Sequence, residues 1–186
     1  LWGLLITLPD EARWRTQAVL TGAEIAGLLL ILIGGLLPAA IVIPVPPHLV
    51  ALPATWQVPA LLLCSLVCGP RAGVIASVGY LSLGLLDLQV FHGGGGINYL
   101  FDPGFGYLAG FVPAAWLTGR LAQQNGMGQL EAQVGAAVGG LVVLHLCGLL
   151  NLGIGALLQR WTTPLPQLIY QLSLGPLPAQ LPHRSP

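Results

Sequence analysis

The sequence predicts an all-α membrane protein, a single integral domain over residues 1–186 built as a bundle of five to six transmembrane helices. Of the 186 residues, 55% are hydrophobic and 6% are charged, and the mean hydropathy is +0.82. A soluble domain carries about 25% charged residues, so this chain has too few polar groups to cover a water-facing surface. Long apolar segments alternate with short Pro- and Gly-rich connections, as expected of a chain that crosses a bilayer repeatedly.

The helices are predicted from the apolar segments in chain order. The start, 1–17, mixes apolar and charged residues, and we interpret it as interfacial, with Trp2 and Trp14 as headgroup anchors. The second and third spans are shorter than the roughly 20 residues a crossing needs, so we expect neighbouring turns to lend them residues. We place the five spans at about 18–43, 57–68, 74–86, 104–121 and 133–158.

Proline and glycine mark the connections between these spans. The run PVPPHLVALP at 44–53 cannot continue a helix, and GPRAG at 69–73 indicates a tight turn. The segment 87–103 is a loop with four consecutive glycines, Gly93 to Gly96. Residues 122–132 are polar and separate the last two spans. The Pro-rich tail, 159–186, is interpreted as an incomplete sixth helix.

The arginines predict which ends of the helices face the cytoplasm. If the spans alternate in direction, Arg13, Arg15, Arg71 and Arg120 all fall on one side, which is therefore predicted to be cytoplasmic. Arg160, after the fifth span, falls on the other side and is the exception. The loops 44–55 and 87–103 are then both expected to face outward, where they could close over a common pocket.

Charge and motifs argue against several classes of function. The net charge is zero, which argues against a nucleic acid partner. The chain contains no Lys, so the phosphate-binding pattern GxxxxGK[ST] is absent. No nucleophile or metal-binding motif is present, and Cys64, Cys68 and Cys147 fit apolar core positions. We expect neither an enzyme nor a bound metal or cofactor.

The glycine-rich loop is the best candidate for a binding site. Four glycines lose an unusual amount of backbone entropy on ordering, which indicates close backbone approach or motion at this point. The polar and aromatic side chains around them suit a small-molecule pocket. A disordered outer loop is the alternative. The flanking groups are Phe91 and His92 before the glycines, and Asn98, Tyr99, Asp102 and Tyr107 after them.

Small residues at four-residue spacing indicate close helix packing. Ala18, Gly22 and Ala26 form such a stripe in the first span. In lipid, helices associate through close backbone approach rather than through a hydrophobic drive. The stripe therefore predicts either packing inside the bundle or docking to another membrane subunit.

A long motif runs through residues 69–111. Its members are Gly69 to Arg71, Gly73, Tyr80, Leu81, Gly84, Val90, Phe91, Gly93 to Gly96, Pro103, Gly106 to Leu108, Gly110 and Phe111. In order and spacing they closely resemble the BioY family, the biotin-binding S components of ECF-type vitamin importers, whose pattern reads roughly LGPRxGxxxxxxYLxxGxxGxPVFxGGGG, followed by a proline and GYLxGF. The segments FGYLAGF and PLPAQL resemble the cyanobacterial branch of that family.

The resemblance implies an S-component-like fold and a role in biotin transport across the cell membrane. It implies that the stripe of Ala18, Gly22 and Ala26 docks to a T component, which assembles with two ATPase subunits. ATP hydrolysis on those partners then drives release inside the cell. The substrate-binding residues expected from it are Gln57, Tyr80, Phe91, Gly94, Gly95, Asn98, Tyr107 and Gln180.

The tail departs from the family pattern. The family opens its sixth helix with P-G-D-L-x-K, whereas this chain has Pro178 to His183, with Gln180 for Asp and His183 for Lys. A glutamine amide still offers a donor and an acceptor to a ureido group. A neutral histidine does not replace a cation facing a carboxylate. Another small vitamin, a stand-alone carrier or a scaffold that binds no biotin are therefore the alternatives to biotin import.

Overall fold

The computed structural model describes residues 10–44, 47–86, 88, 90–91, 95–124, 129–170 and 172. Six α-helices, one two-stranded hairpin and a short 3₁₀ helix are defined within these ranges. In chain order they are α1 Asp10–Leu36, β1 Pro38–Pro44, β2 Pro47–Thr55, α2 Gln57–Leu85, the 3₁₀ helix Ile97–Phe101, α3 Phe105–Ala109, α4 Phe111–Gln124, α5 Leu130–Leu157 and α6 Leu165–Ile169.

The first helix ends earlier than the sequence predicted, because a β-hairpin follows it. Helix α1 ends at Leu36, whereas the first span was placed at 18–43. Pro38 opens β1, and a helix is disfavoured at the residue before a proline. Strands β1 and β2 pair antiparallel, with Ile41 opposite Val50. The described residues of the run 44–53 are not helical, and most of them form strand β2 rather than an irregular connection.

Helix α2 is two helices that fold back on each other at Gly69. The backbone of Gly69 has φ 85° and ψ 176°, and Pro70 follows it. Cys64 and Ala76, on either side of this point, both lie against Gly27 of α1. The two legs, 57–68 and 70–85, therefore run antiparallel over about 18 and 24 Å. The turn predicted at 69–73 begins at its glycine.

Three helices of the described chain are long and apolar enough to cross a membrane, namely Thr16–Leu36, Gln57–Leu85 and Leu130–Leu157. The middle one reaches this length only through the bend at Gly69. Helices α3 and α4 form one further rod, because Gly110 donates to the Gly106 carbonyl and Ala114 donates to that of Gly110. The predicted span 104–121 coincides with this rod.

Helix α4 lies at the centre of the bundle, between the bend of α2 and α5. Gly119 packs on the Pro70 backbone, and Gly140 of α5 packs on Thr118. Lipid is the expected neighbour of the outer helix faces, which carry large apolar side chains. The core contains Ile31, Leu61, Tyr80, Phe111, Ala114 and Leu144, all at most 3% exposed.

The bundle has two distinct ends. We call the end at the Gly69 bend the turn end. There Arg71 Nε lies 3.4 Å from Glu24 Oε1, and Gln123 of α4 lies against Gly69. The opposite end, which carries the hairpin, the 3₁₀ helix and residues 159–168, we call the loop end. The sequence-based topology assigns the turn end to the cytoplasm, and that assignment stays a prediction.

Candidate functional site

Three buried aromatic rings and the half-buried ring of Tyr99 form a layer beneath the loop end, and we call this layer the aromatic floor. Tyr80 is fully buried and donates its hydroxyl to the Val90 carbonyl at 2.9 Å. The Phe91 ring meets Tyr80 edge-on at 5.4 Å and Tyr99 at 4.8 Å between centroids. Phe111 stacks on the other side of Tyr80 at 6.1 Å. These contacts fix the start and the end of the glycine-rich loop on one platform.

The end of the glycine-rich loop is held by backbone contacts that require glycine. The Gly96 amide donates to the Gly84 carbonyl at 2.8 Å, and its φ is 89°. A β-carbon on Gly95 would approach the Leu88 carbonyl oxygen to 2.5 Å. Any side chain at these two positions would therefore either strain the backbone or push the loop away from α2.

A rigid turn after α5 forms the opposite wall. Arg160 donates its backbone amide to the Gly155 carbonyl at 2.9 Å, and Gln159 donates to Ala156 at 3.0 Å. Gln159 takes φ 52°, so the helix ends in a Schellman motif with glutamine in the left-handed position. The Trp161 indole then donates to the Leu152 carbonyl at 3.1 Å and packs on Gly155.

The 3₁₀ helix and this turn border an open cavity of about 440 Å³, which we call the loop-end cavity. Its lining combines aromatic rings, hydroxyl groups, an amide and one charge of each sign. The Arg160 guanidinium lies 5.6 Å from the centre of the Phe101 ring. The lining residues are Gly95, Asn98, Tyr99, Phe101, Asp102, Pro103, Arg160, Trp161, Thr162, Thr163 and Leu168.

Polar contacts anchor the segment that follows the 3₁₀ helix. Asp102 Oδ1 accepts a hydrogen bond from the Gly104 amide at 2.7 Å, and Asn151 Nδ2 of α5 donates to the Pro103 carbonyl at 3.1 Å. Burial raises the pKa of the Tyr99 phenol, and the Asp102 carboxylate adds to the rise. Tyr99 is therefore a neutral hydrogen-bonding group at physiological pH.

The structure brings part of the predicted site together and leaves part of it apart. Gly95 and Asn98 line the loop-end cavity, while Tyr80 and Phe91 belong to the aromatic floor. Tyr107 points elsewhere, against Gly148 and edge-on to His145 at 6.0 Å between ring centroids. The predicted residues Gly94 and Gln180 lie outside the described residues.

Gln57 occupies a separate position at the start of α2. It is 8% exposed, its side chain lies beside the Tyr80 hydroxyl, and its Nε2 has no hydrogen bond with a described residue. A buried amide donor without a partner is costly. Gln57 thus offers an unused donor close to the aromatic floor.

Sequence reasoning missed the wall formed by residues 160–163. Arg160 attracted attention only as an exception to the arginine topology, and Trp161 was not singled out. The position of Arg160 did carry a signal for this wall, because an arginine on the side opposite the other cations needs a local reason. The packing of Trp161 on Gly155 has no comparable signature in the sequence.

Comparison with known proteins identifies the family. A profile of the BioY family matches residues 6–177. The chain belongs to the BioY family. Together with the membrane-capable helices, this makes it a multi-pass protein of the cell membrane.

Two curated BioY proteins illustrate how far the similarity extends. A probable biotin transporter BioY from Lysinibacillus sphaericus is 34% identical over 107 residues, 58% of this chain and 53% of that protein. The biotin transporter BioY of Rhodobacter capsulatus is 32% identical over 124 residues, 63% of this chain and 65% of that protein. The matched segments thus span between about half and two thirds of these BioY relatives' own lengths.

A solved structure supports the fold. The crystal structure of the S-component for biotin from an ECF-type ABC transporter superposes with a TM-score of 0.61. The superposition covers 91% of this chain and 87% of the solved chain, at 20% sequence identity. The helical fold predicted for a BioY-like S component is therefore confirmed.

Proposed function

We propose that this chain captures biotin at its loop end and acts as the substrate-binding S component of an ECF-type importer. Membership of the BioY family supports this proposal, as does the description of the two relatives as a probable biotin transporter and a biotin transporter. The superposed structure is itself described as an S-component for biotin. The chain performs transport and no chemistry on its ligand.

The observation that carries the proposal is the loop-end cavity, which Gly95 of the glycine-rich loop lines. Its volume of about 440 Å³ falls in the range of small-molecule pockets, about 300–1,000 Å³. Biotin presents a ureido group, an apolar ring and a carboxylate on an aliphatic chain. Asn98 and the hydroxyls of Thr162 and Thr163 suit the polar groups, while Trp161 and Leu168 offer apolar surface.

Transport requires that affinity change with orientation. The ligand binds tightly while the loop end is open to the outside and weakly once the protein has reoriented. The described residues contain no nucleotide-binding loop, so the energy for this change comes from partners, a T component and two ATPase subunits.

The docking face for these partners is the stripe of Ala18, Gly22 and Ala26. All three are exposed, and nothing lies within 4 Å of the position that a β-carbon on Gly22 would take. Gly27 and Gly34 of the same helix instead pack against α2. One face of α1 thus serves the bundle and the other is free for a neighbouring helix.

Direct binding of labelled biotin to the purified chain in detergent tests the proposal. We expect nanomolar affinity, and Asn98→Ala should weaken it by about tenfold. Gln129→Ala is the matched control, because Gln129 is an exposed polar residue at the start of α5, far from the loop end. Absence of binding at millimolar biotin contradicts the proposal. If another vitamin displaces the labelled biotin more effectively than biotin itself, that vitamin is the ligand and the assignment of biotin is wrong.

A further inference from the structure

Arg160 stands apart from the other arginines whose side chains are described. Arg71 and Arg120 lie at the turn end, where Arg71 pairs with Glu24 and Arg120 lies over the Trp116 ring at 5.3 Å. Arg160 lies at the loop end and lines the loop-end cavity. Arginine is disfavoured in segments that cross the membrane to the outside, so its presence there calls for a local role.

The fold holds Arg160 in place at two points. Its backbone is fixed by the Schellman motif at the end of α5 and by the adjoining Trp161, whose indole donates to the Leu152 carbonyl. Its guanidinium lies over the Phe101 ring, within the roughly 6 Å of a cation–π contact. Arg160 and Phe101 are both exposed, so the ring favours one direction of the side chain without burying it, which lowers the entropy lost when the side chain binds a ligand.

The guanidinium keeps its hydrogen-bonding capacity. Within the described residues Arg160 forms no ion pair with a carboxylate. Contact with an aromatic ring leaves guanidinium N–H donors available, and their fork matches the two oxygens of a carboxylate. Asp102, the acidic residue in the lining, already accepts the Gly104 amide at 2.7 Å. Its negative charge directs an anionic group toward the Arg160 side of the cavity.

We propose that Arg160 binds the carboxylate of the captured ligand in the loop-end cavity and thereby selects ligands that carry a free carboxylate. The neighbouring hydroxyls of Thr162 and Thr163 complete the anion-binding wall. This inference rests on the proposed function, since it assigns one end of the same ligand. It makes Arg160 a specificity-determining residue of the site.

The test compares biotin with biotinamide, which has the same ring and chain but a neutral end. Binding of both is measured by calorimetry on the full chain in detergent, for the wild type, Arg160→Gln, Arg160→Lys and the control Arg120→Gln. We expect Arg160→Gln to weaken biotin binding by about tenfold and to change biotinamide binding less than twofold. Arg160→Lys should keep part of the preference, and Arg120→Gln should keep all of it.

The outcomes separate this inference from the proposed function. If Arg160→Gln weakens both ligands equally, Arg160 only supports the shape of the cavity and the inference is wrong. It is also wrong if the wild type binds biotinamide as tightly as biotin, although biotin capture then stands. If the wild type binds neither compound, both proposals fall. Thermal unfolding of each variant shows whether a lost affinity reflects a lost fold.

Discussion

The phenyl ring of Phe91 lies directly over Gly84, in the space where a side chain at that position would begin. A β-carbon on Gly84 would overlap with Cζ and Cε1 of the ring. Phe91 is 4% exposed and Gly84 is buried, so neither has solvent to move into. Because Gly84 has no side chain, the Phe91 ring packs directly on α2 and holds the start of the glycine-rich loop there.

Gly84→Ala should displace Phe91, and with it the start of the glycine-rich loop, from α2. Alanine normally favours a helix over glycine by about 1 kcal/mol, but here the Phe91 ring must leave its place in the aromatic floor. We expect the free energy of unfolding to fall by about 1–3 kcal/mol. Biotin affinity should fall at least tenfold. Thermal unfolding and labelled-biotin binding in detergent measure the two effects.

Gly153→Ala is the matched control for this substitution. Gly153 is also helical, and nothing lies within 4 Å of the position a β-carbon would take. It should therefore leave binding unchanged and raise stability slightly. Equal effects of the two substitutions would show that Phe91 does not hold the loop.

The hydroxyl of Tyr80 is expected to hold the glycine-rich loop against the aromatic floor. It donates to the Val90 carbonyl at 2.9 Å from a fully buried position. Tyr80→Phe keeps the ring but leaves the Val90 carbonyl without its donor, which should lower the free energy of unfolding by about 1 kcal/mol. We expect faster amide exchange in peptides that cover residues 95–101, read by hydrogen exchange with mass spectrometry.

The exposed Tyr170 supplies the control for this hydroxyl. Tyr170→Phe removes the same atom directly after the end of α6, and exchange at 95–101 should stay as in the wild type. Unchanged exchange in Tyr80→Phe would contradict this role for the Tyr80 hydroxyl.

Tyr99 should make stability fall at high pH. Burial raises its pKa above the ordinary value of 10.0, with Asp102 adding to the rise. Above pH 10 the unfolded chain releases this proton first, so the stabilisation from the neutral phenol declines and is lost once the pH passes the folded-state pKa. Tyr99→Phe should flatten the fall in thermal stability above about pH 10. An unaltered slope would show that Tyr99 does not contribute.

Local chemistry explains which parts of the fold could be predicted from sequence. A Gly-Pro pair cannot continue a helix, so the turn at Gly69 was readable, and its positive φ confirms why glycine stands there. The hairpin after α1 was missed because its prolines suggested an irregular connection. Strands accept proline at their first residue, where β1 and β2 carry Pro38 and Pro47.

The site residues were predictable where they belong to a continuous motif and were missed where tertiary packing places them. Gly95 and Asn98 belong to a continuous motif, and both line the cavity. The facing wall comes from residues after α5 and depends on packing between Trp161 and Gly155. Helix ends of this type usually carry glycine in the left-handed position, whereas here it is Gln159, so the usual signal was absent. Tyr107 shows the reverse, since a motif residue lies against α5 rather than in the cavity.

Bulk on the free face of α1 should prevent assembly with the ATPase subunits. Ala18→Leu with Gly22→Leu adds side chains on a face that the bundle leaves uncovered, so the chain itself should fold and bind biotin normally. Close approach by a partner helix requires small residues, and co-purification of the partners should be lost. Val19→Leu is the control, because Val19 is 72% exposed on a neighbouring face of α1. Retention of the partners by the double variant would place the docking face elsewhere, whereas loss of biotin binding would mean that the stripe belongs to the bundle itself.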